Sequence, residues 1–164
     1  MNSSFQLSDE GVAFVKRELN RYEDRHSAII PALYRVQKEN NGWVSPESVT
    51  YLSHLMDLPE SAIEEVLKFY TMFNTKPIGR HHVQVCCNIS CTMNGGRELA
   101  DRLCHEFGVE AGEITKDGRF TFSRVECLGA CDKAPMMQVN DKYYENLGQE
   151  KAAEKAIEIL RELK

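Results

Sequence analysis

Five of the six cysteines in this 164-residue chain fall in two short stretches. The first, VCCNISCTMNGG at residues 85–96, carries Cys86, Cys87 and Cys91; the second, VECLGACDKAP at residues 125–135, carries Cys127 and Cys131. Cys86 and Cys91 make a C-x4-C pair, Cys127 and Cys131 a C-x3-C pair, and 35 residues separate the two pairs. Four thiolates can hold a tetrahedral zinc ion or an iron–sulfur cluster. Structural zinc favours C-x2-C knuckles, where two ligands wrap one small ion. Spacings of three and four leave more loop, which suits a larger object with two metal centres and one cysteine pair for each iron. A [2Fe–2S] cluster is therefore the favoured chemistry. Zinc and a metal-free redox dithiol remain open, although no thioredoxin-type C-x-x-C is present to favour the dithiol.

Glycines accompany both pairs. Gly129 lies within the second pair and frees the backbone to curl around a sulfide. Gly95 and Gly96 follow the first pair at the start of a predicted helix, whose N–H groups and positive dipole would face an anionic cluster. Cys87 complicates the ligand set. Paired with Cys91 it gives a second C-x3-C, so spacing does not choose between Cys86 and Cys87. Cys104, beside Leu103 and one turn from Ala100, reads as a small buried hydrophobe.

The elements that must carry these loops follow from periodicity. Upstream, apolar residues recur at helical spacing. Ser8 caps a helix with Val12, Val15, Leu19 and Tyr22. A second segment carries Ile29, Ile30, Leu33, Tyr34 and Val36, with Pro31 in its first turn. Ser45-Pro46 opens a third helix with Val49, Leu52, Leu55 and Met56, and Pro59 a fourth with Ile63, Val66, Leu67, Tyr70 and Phe73. The stretch from Asn74 to Gly79 breaks the pattern and marks a boundary, giving a helical bundle over 1–76 and a second domain over 77–164. There the period changes. His81–Cys86 is a valine-rich strand, 93–107 a helix stopped by Gly108, Arg119–Val125 and Met136–Val139 strands, Tyr143-Tyr144 a short edge strand, and 149–163 a closing helix. The order β-α-β-β-(β)-α predicts an α+β domain, α/β-like, with helices packed on a small sheet.

Composition narrows the partners. With 42% hydrophobic and 27% charged residues the chain reads as globular, and a net charge of −5 argues against nucleic acid. No stretch approaches the roughly 18–20 apolar residues that span a bilayer. The N-terminal MNSSFQLSDEG shows neither a signal core nor a transit pattern, which predicts a cytosolic chain or a mature form. Structural disulfides are not expected there. There is no G-x-G-x-x-G and no P-loop.

The combination VCCNISCTMNGG … GEITKDGRFTFSRVECLGACDKAPMMQVND resembles the thioredoxin-like [2Fe–2S] ferredoxin subunits of NADH–quinone oxidoreductases, the 24-kDa type of respiratory complex I. The resemblance extends upstream to Val36-Gln37, Gly42-Trp43-Val44, Pro59 and the Glu65–Tyr70 segment. It implies a thioredoxin-like ferredoxin domain behind an N-terminal helical bundle. It implies Cys86, Cys91, Cys127 and Cys131 as ligands of a [2Fe–2S] cluster, so that the family pattern breaks the tie toward Cys86. It also implies a partner, a flavin subunit that binds FMN and NADH, in a heterodimer within a larger assembly at the inner face of the cell membrane, with this chain cytoplasmic and peripheral. There the cluster would exchange single electrons with a flavin that receives two from NADH, to one side of the main electron path. The chain itself offers no substrate site on this reading. Alternatives are the equivalent diaphorase subunit of an NAD-linked hydrogenase or formate dehydrogenase, a free ferredoxin shuttle, and a structural zinc module.

Further residues carry expectations. Arg97 and Lys133, near the loops, are read as plain surface residues, with lending positive charge to a cluster as the alternative. His81 and His82 are expected at a surface or sheet edge. The helical leader reads either as packing alone or as a clamp for the partner, with Trp43, Tyr70 and Phe73 as exposed aromatics that anchor it. Pro135, just before a strand, resembles the proline that thioredoxin-like folds often keep cis.

Overall fold

The computed structural model describes residues 5–147 and 151–163. The chain divides into two compact units, Met1–Pro77 and Ile78–Lys164.

In the first unit α1 (Asp9–Arg21), a short 3-10 turn (Arg25–Ala28), α2 (Ile29–Glu39), α3 (Pro46–Met56) and α4 (Glu60–Phe69) follow one another. Helix starts obey capping chemistry. The Ser8 hydroxyl accepts the Gly11 N–H at 3.0 Å, and Ser45 accepts from Ser48 with Pro46 at the first helical position. Apolar positions three and four apart turn inward, so Val15, Leu33, Val36, Leu52, Met56 and Ile63 are fully buried. Glu39 ties α2 to the α1 cap, accepting from the Ser8 N–H at 2.7 Å and from Arg35 Nε at 2.6 Å.

Two of the aromatics expected to be exposed are not; Trp43 is half-buried. Phe73 is 5% exposed and belongs to the core of this unit, edge-on to Tyr34. It lies past the end of α4, where the turn after Tyr70 folds back and delivers its ring inward. Phe69, which the periodicity does not single out, is 77% exposed.

The second unit is built from β1 (His81–Cys86), α5 (Ile89–Met93), α6 (Gly96–Glu106), β2 (Phe120–Val125), β3 (Met137–Val139), β4 (Lys142–Tyr144) and α7 (Ala152–Glu162). The sheet order is β2-β1-β3-β4; β1 and β2 run parallel, the other neighbours antiparallel. Period-two alternation sorts the faces. Val83, Val85, Phe120, Phe122, Met137 and Val139 form one core with Leu99 and Leu103 of α6 and Ala156, Ile157 and Leu160 of α7. This is the α+β arrangement that the element order predicts and the thioredoxin-like one that the resemblance implies.

The helix predicted over 93–107 starts later, at Gly96, and a separate short helix, α5 at Ile89–Met93, precedes it. Asn94 ends α5, and Gly95, at φ 87°, turns the chain before α6 starts at Gly96. Strands begin one residue later than expected, at Phe120 and Met137. The closing helix runs Ala152–Glu162; residues 149 and 150, also expected in it, lie outside the described residues. Among the described residues no helix is long and apolar enough to cross a membrane.

Candidate metal centre

The parallel pairing of β1 with β2 sets Cys86 opposite Val125. The loops that follow the two strands therefore leave the sheet at the same end. In the first loop the Asn88 side chain accepts the Ile89 N–H at 2.6 Å and starts α5, which turns Cys91 back toward the sheet. In the second, Gly129 at φ +77° curls the backbone so that its N–H donates to Cys127 Sγ at 3.4 Å. Ser90 straps the loops together, its hydroxyl donating to the Cys131 carbonyl at 2.9 Å.

Four thiols meet here as two pairs. Within each pair one thiol raises the other, Cys86 acting on Cys91 and Cys127 on Cys131, and across the pairs Cys86 acts on Cys131 and Cys131 on Cys91. Cys86 and Cys91 are buried against Ala130 and Met136, with Leu128 and Ala134 packed beside them. Cys127 and Cys131 are exposed. Among the described residues, no three Cys, His, Asp or Glu side chains converge closely enough to hold a single metal ion. Burial, then the bond to Cys86, pushes the Cys91 thiol up to about 11; a Met136 backbone N–H acts in the opposite direction. The Cys131 thiol is raised, first by its hydrogen bond with Cys127.

Gly96 sits where these loops meet α6. A Cβ there would lie 2.6 Å from the Cys86 carbonyl oxygen and 2.9 Å from that of Cys91. The glycine thus lets the positive end of α6 approach the backbone of both cysteines.

Cys87 faces away from these four. It packs against the core under α6, and its Sγ lies 3.5 Å from the Val85 carbonyl oxygen and 3.9 Å from that of Gly96. Burial raises its thiol, which the nearby Arg124 partly offsets. Cys104 is half-buried against the same core and is likewise raised by burial.

The two cations named from sequence differ. Lys133 is offset by Asp132 at 3.2 Å, whereas Arg97 is exposed and makes no ion pair among the described residues. His82 departs from the surface role expected of it: 9% exposed, with Nε2 2.8 Å from Ser123 Oγ, it is held below the ordinary imidazole range by burial. The Ala134–Pro135 bond is cis. Neither Ser90 nor Tyr143, whose hydroxyl donates to the Leu128 carbonyl at 2.6 Å, carries a signal in the sequence, because their partners are distant loop carbonyls.

Several named proteins are similar to this chain along most of its length. It is 36% identical over 151 residues to an NADH-quinone oxidoreductase subunit of Rickettsia bellii (strain RML369-C), covering 91% of this chain and 90% of that protein. To the like-named subunit of Rhizobium meliloti (strain 1021) it is 46% identical over 127 residues, covering 77% and 75%. In fold it resembles a chain of an NAD+-reducing [NiFe]-hydrogenase in the air-oxidized state, with TM-score 0.67 and 22% identity, over 81% of this chain and 22% of that one. The family model of the thioredoxin-like [2Fe–2S] ferredoxins matches residues 15–164, and the chain belongs to that family.

Proposed function

We propose that Cys86, Cys91, Cys127 and Cys131 hold a [2Fe–2S] cluster, and that the chain is the one-electron carrier beside a flavin- and NADH-binding subunit of an NADH–quinone oxidoreductase. The observation that carries this reading is the pairing of four thiols from two loops at one end of two parallel strands. Two pairs, one for each iron, match the ligand demand of the cluster better than a single zinc. The surroundings fit as well. The Gly129 N–H reaches the Cys127 sulfur, a Met136 backbone N–H lowers the Cys91 thiol, and Gly96 leaves room for the loop to close.

When bound, the cluster supplies a site that takes or gives one electron at a time. The chain's own residues do the rest. Buried Cys86 and Cys91 anchor the inner side, and exposed Cys127 and Cys131 bring the outer side to the surface, where a partner can approach. N–H donors on sulfur favour the more negative, reduced state. No step of hydride chemistry is assigned to this chain; that belongs to the flavin on the partner. The working location is the inner face of the cell membrane, as a peripheral part of the complex.

Anaerobic purification tests the reading directly. The expected protein is coloured, binds two irons and two sulfides per chain, shows the electron paramagnetic signal of a reduced [2Fe–2S] cluster, and brings down a flavoprotein. A colourless protein with one zinc would end it. A coloured protein that never brings down a flavoprotein would leave a free shuttle, and a hydrogenase or formate dehydrogenase in the captured complex would replace the quinone reductase.

A further inference from the structure

The second cysteine loop contains one peptide unit gripped at both ends. The Leu128–Gly129 peptide presents its N–H to Cys127 Sγ at 3.4 Å. The carbonyl of the same peptide accepts the Tyr143 hydroxyl at 2.6 Å. Because the two groups of a peptide point in opposite directions, fixing the carbonyl fixes where the N–H points.

Little else resists rotation of this unit. Gly129 holds φ +77°, and glycine tolerates either sign of φ, so the peptide can turn over at small backbone cost. A Cβ built at Gly129 would meet nothing within 4 Å, so no packing locks the turn from that side. Tyr143 lies on β4 opposite Gln138, and so shares the sheet face of Cys86 rather than that of α6 and α7. From there its ring reaches across to the loop while remaining 44% exposed.

We infer that Tyr143 is a positioning residue of the metal centre. Its hydroxyl holds the Leu128–Gly129 peptide with the N–H on the Cys127 sulfur and thereby raises the reduction potential of the cluster. The inference rests on the proposed ligand role of Cys127. Without the hydroxyl the peptide is free to turn, the sulfur loses a donor, and the negative carbonyl end can face the cluster instead. Both changes disfavour the reduced, more anionic state.

The test uses the full chain, purified anaerobically, as wild type, Tyr143→Phe and Tyr144→Phe. Tyr144 lies on the same strand but packs against the core on the other face, so it controls for loosening of the edge. Midpoint potentials come from spectroelectrochemistry. Resonance Raman in H2O and D2O reports N–H donors through the shift of the iron–cysteine stretch. The expected result is a cluster of unchanged absorption in all three proteins, a lower midpoint and a smaller D2O shift in Tyr143→Phe, and wild-type values in Tyr144→Phe. An unchanged midpoint in Tyr143→Phe overturns the inference while leaving the cluster reading intact. So does an equal drop in Tyr144→Phe. A Tyr143→Phe chain that loads no cluster overturns it too, because the hydroxyl would then serve assembly rather than potential. A wild-type chain without a cluster removes the inference together with the function on which it rests.

Discussion

Cys86 and Cys87 are neighbours in the chain and face opposite sides of the sheet. Cys86 lies with Cys91, Ala130 and Met136 at the candidate centre, whereas Cys87 packs under α6 with its sulfur near the Gly96 carbonyl. The alternation of a strand produces this split, since successive side chains leave on opposite faces.

The split separates two variants. Cys87→Ser is expected to keep the absorption and paramagnetic spectra of the cluster, while Cys86→Ser loses or strongly alters them. Iron content per chain and the visible spectrum are the readouts. Reversed results would mean that the first pair is C-x3-C.

Gly96→Ala probes the close approach of α6. The new methyl would meet the backbone carbonyls of Cys86 and Cys91 at 2.6 and 2.9 Å, so one side must move. Forcing such overpacking costs about 1–3 kcal/mol. A lower melting temperature and reduced iron loading are expected together. Alanine at the exposed Arg97 next door gives neither, and equal effects at both positions would contradict the contact.

His82 gives a pH signature. Burial disfavours its protonated form in the folded state, so its folded pKa lies below the ordinary value of about 6.5. Between the two values the unfolded chain binds more protons than the folded one. Stability therefore falls as pH drops below about 6.5, with a slope from this group of at most about 1.4 kcal/mol per pH unit. Denaturant melts of wild type and His82→Gln at several pH values isolate it. The wild type should lose more stability on acidification than the variant, and parallel curves would refute the assignment.

In the helical unit, burial decides which apolar residues matter for folding. Leu33→Ala removes a fully buried side chain and is expected to cost about 2–5 kcal/mol. Phe69→Ala, at 77% exposure, should change stability by no more than about 0.5 kcal/mol. Thermal melts compare them. If Phe69 anchors a partner subunit, its alanine variant weakens that complex without moving the melt.

Much of this protein is legible from local chemistry. Ser8, Ser45 and Pro46 announce helix starts because capping acts within one turn. The valine alternation of β1 announces a strand because side-chain period is local too. The cysteine spacing points to two pairs of ligands for the same reason.

Other features depend on partners distant in sequence. Periodicity starts one helix at 93 and misses α5 before it, blind to the fact that Gly96 abuts the Cys86 and Cys91 carbonyls, where the chain must turn before α6 begins. The expectation of an exposed Phe73 and of His82 at an edge fails as well, because burial is set by what folds over a residue rather than by its neighbours in the chain. Spacing also leaves Cys86 and Cys87 tied. Sequence by itself determined which thiols exist, how far apart they stand and that strands deliver them. Independently of the family pattern, the tertiary structure decided which sulfurs lie together, because the parallel register of β1 and β2 joins the two loops and the strand's alternation turns Cys87 away from them.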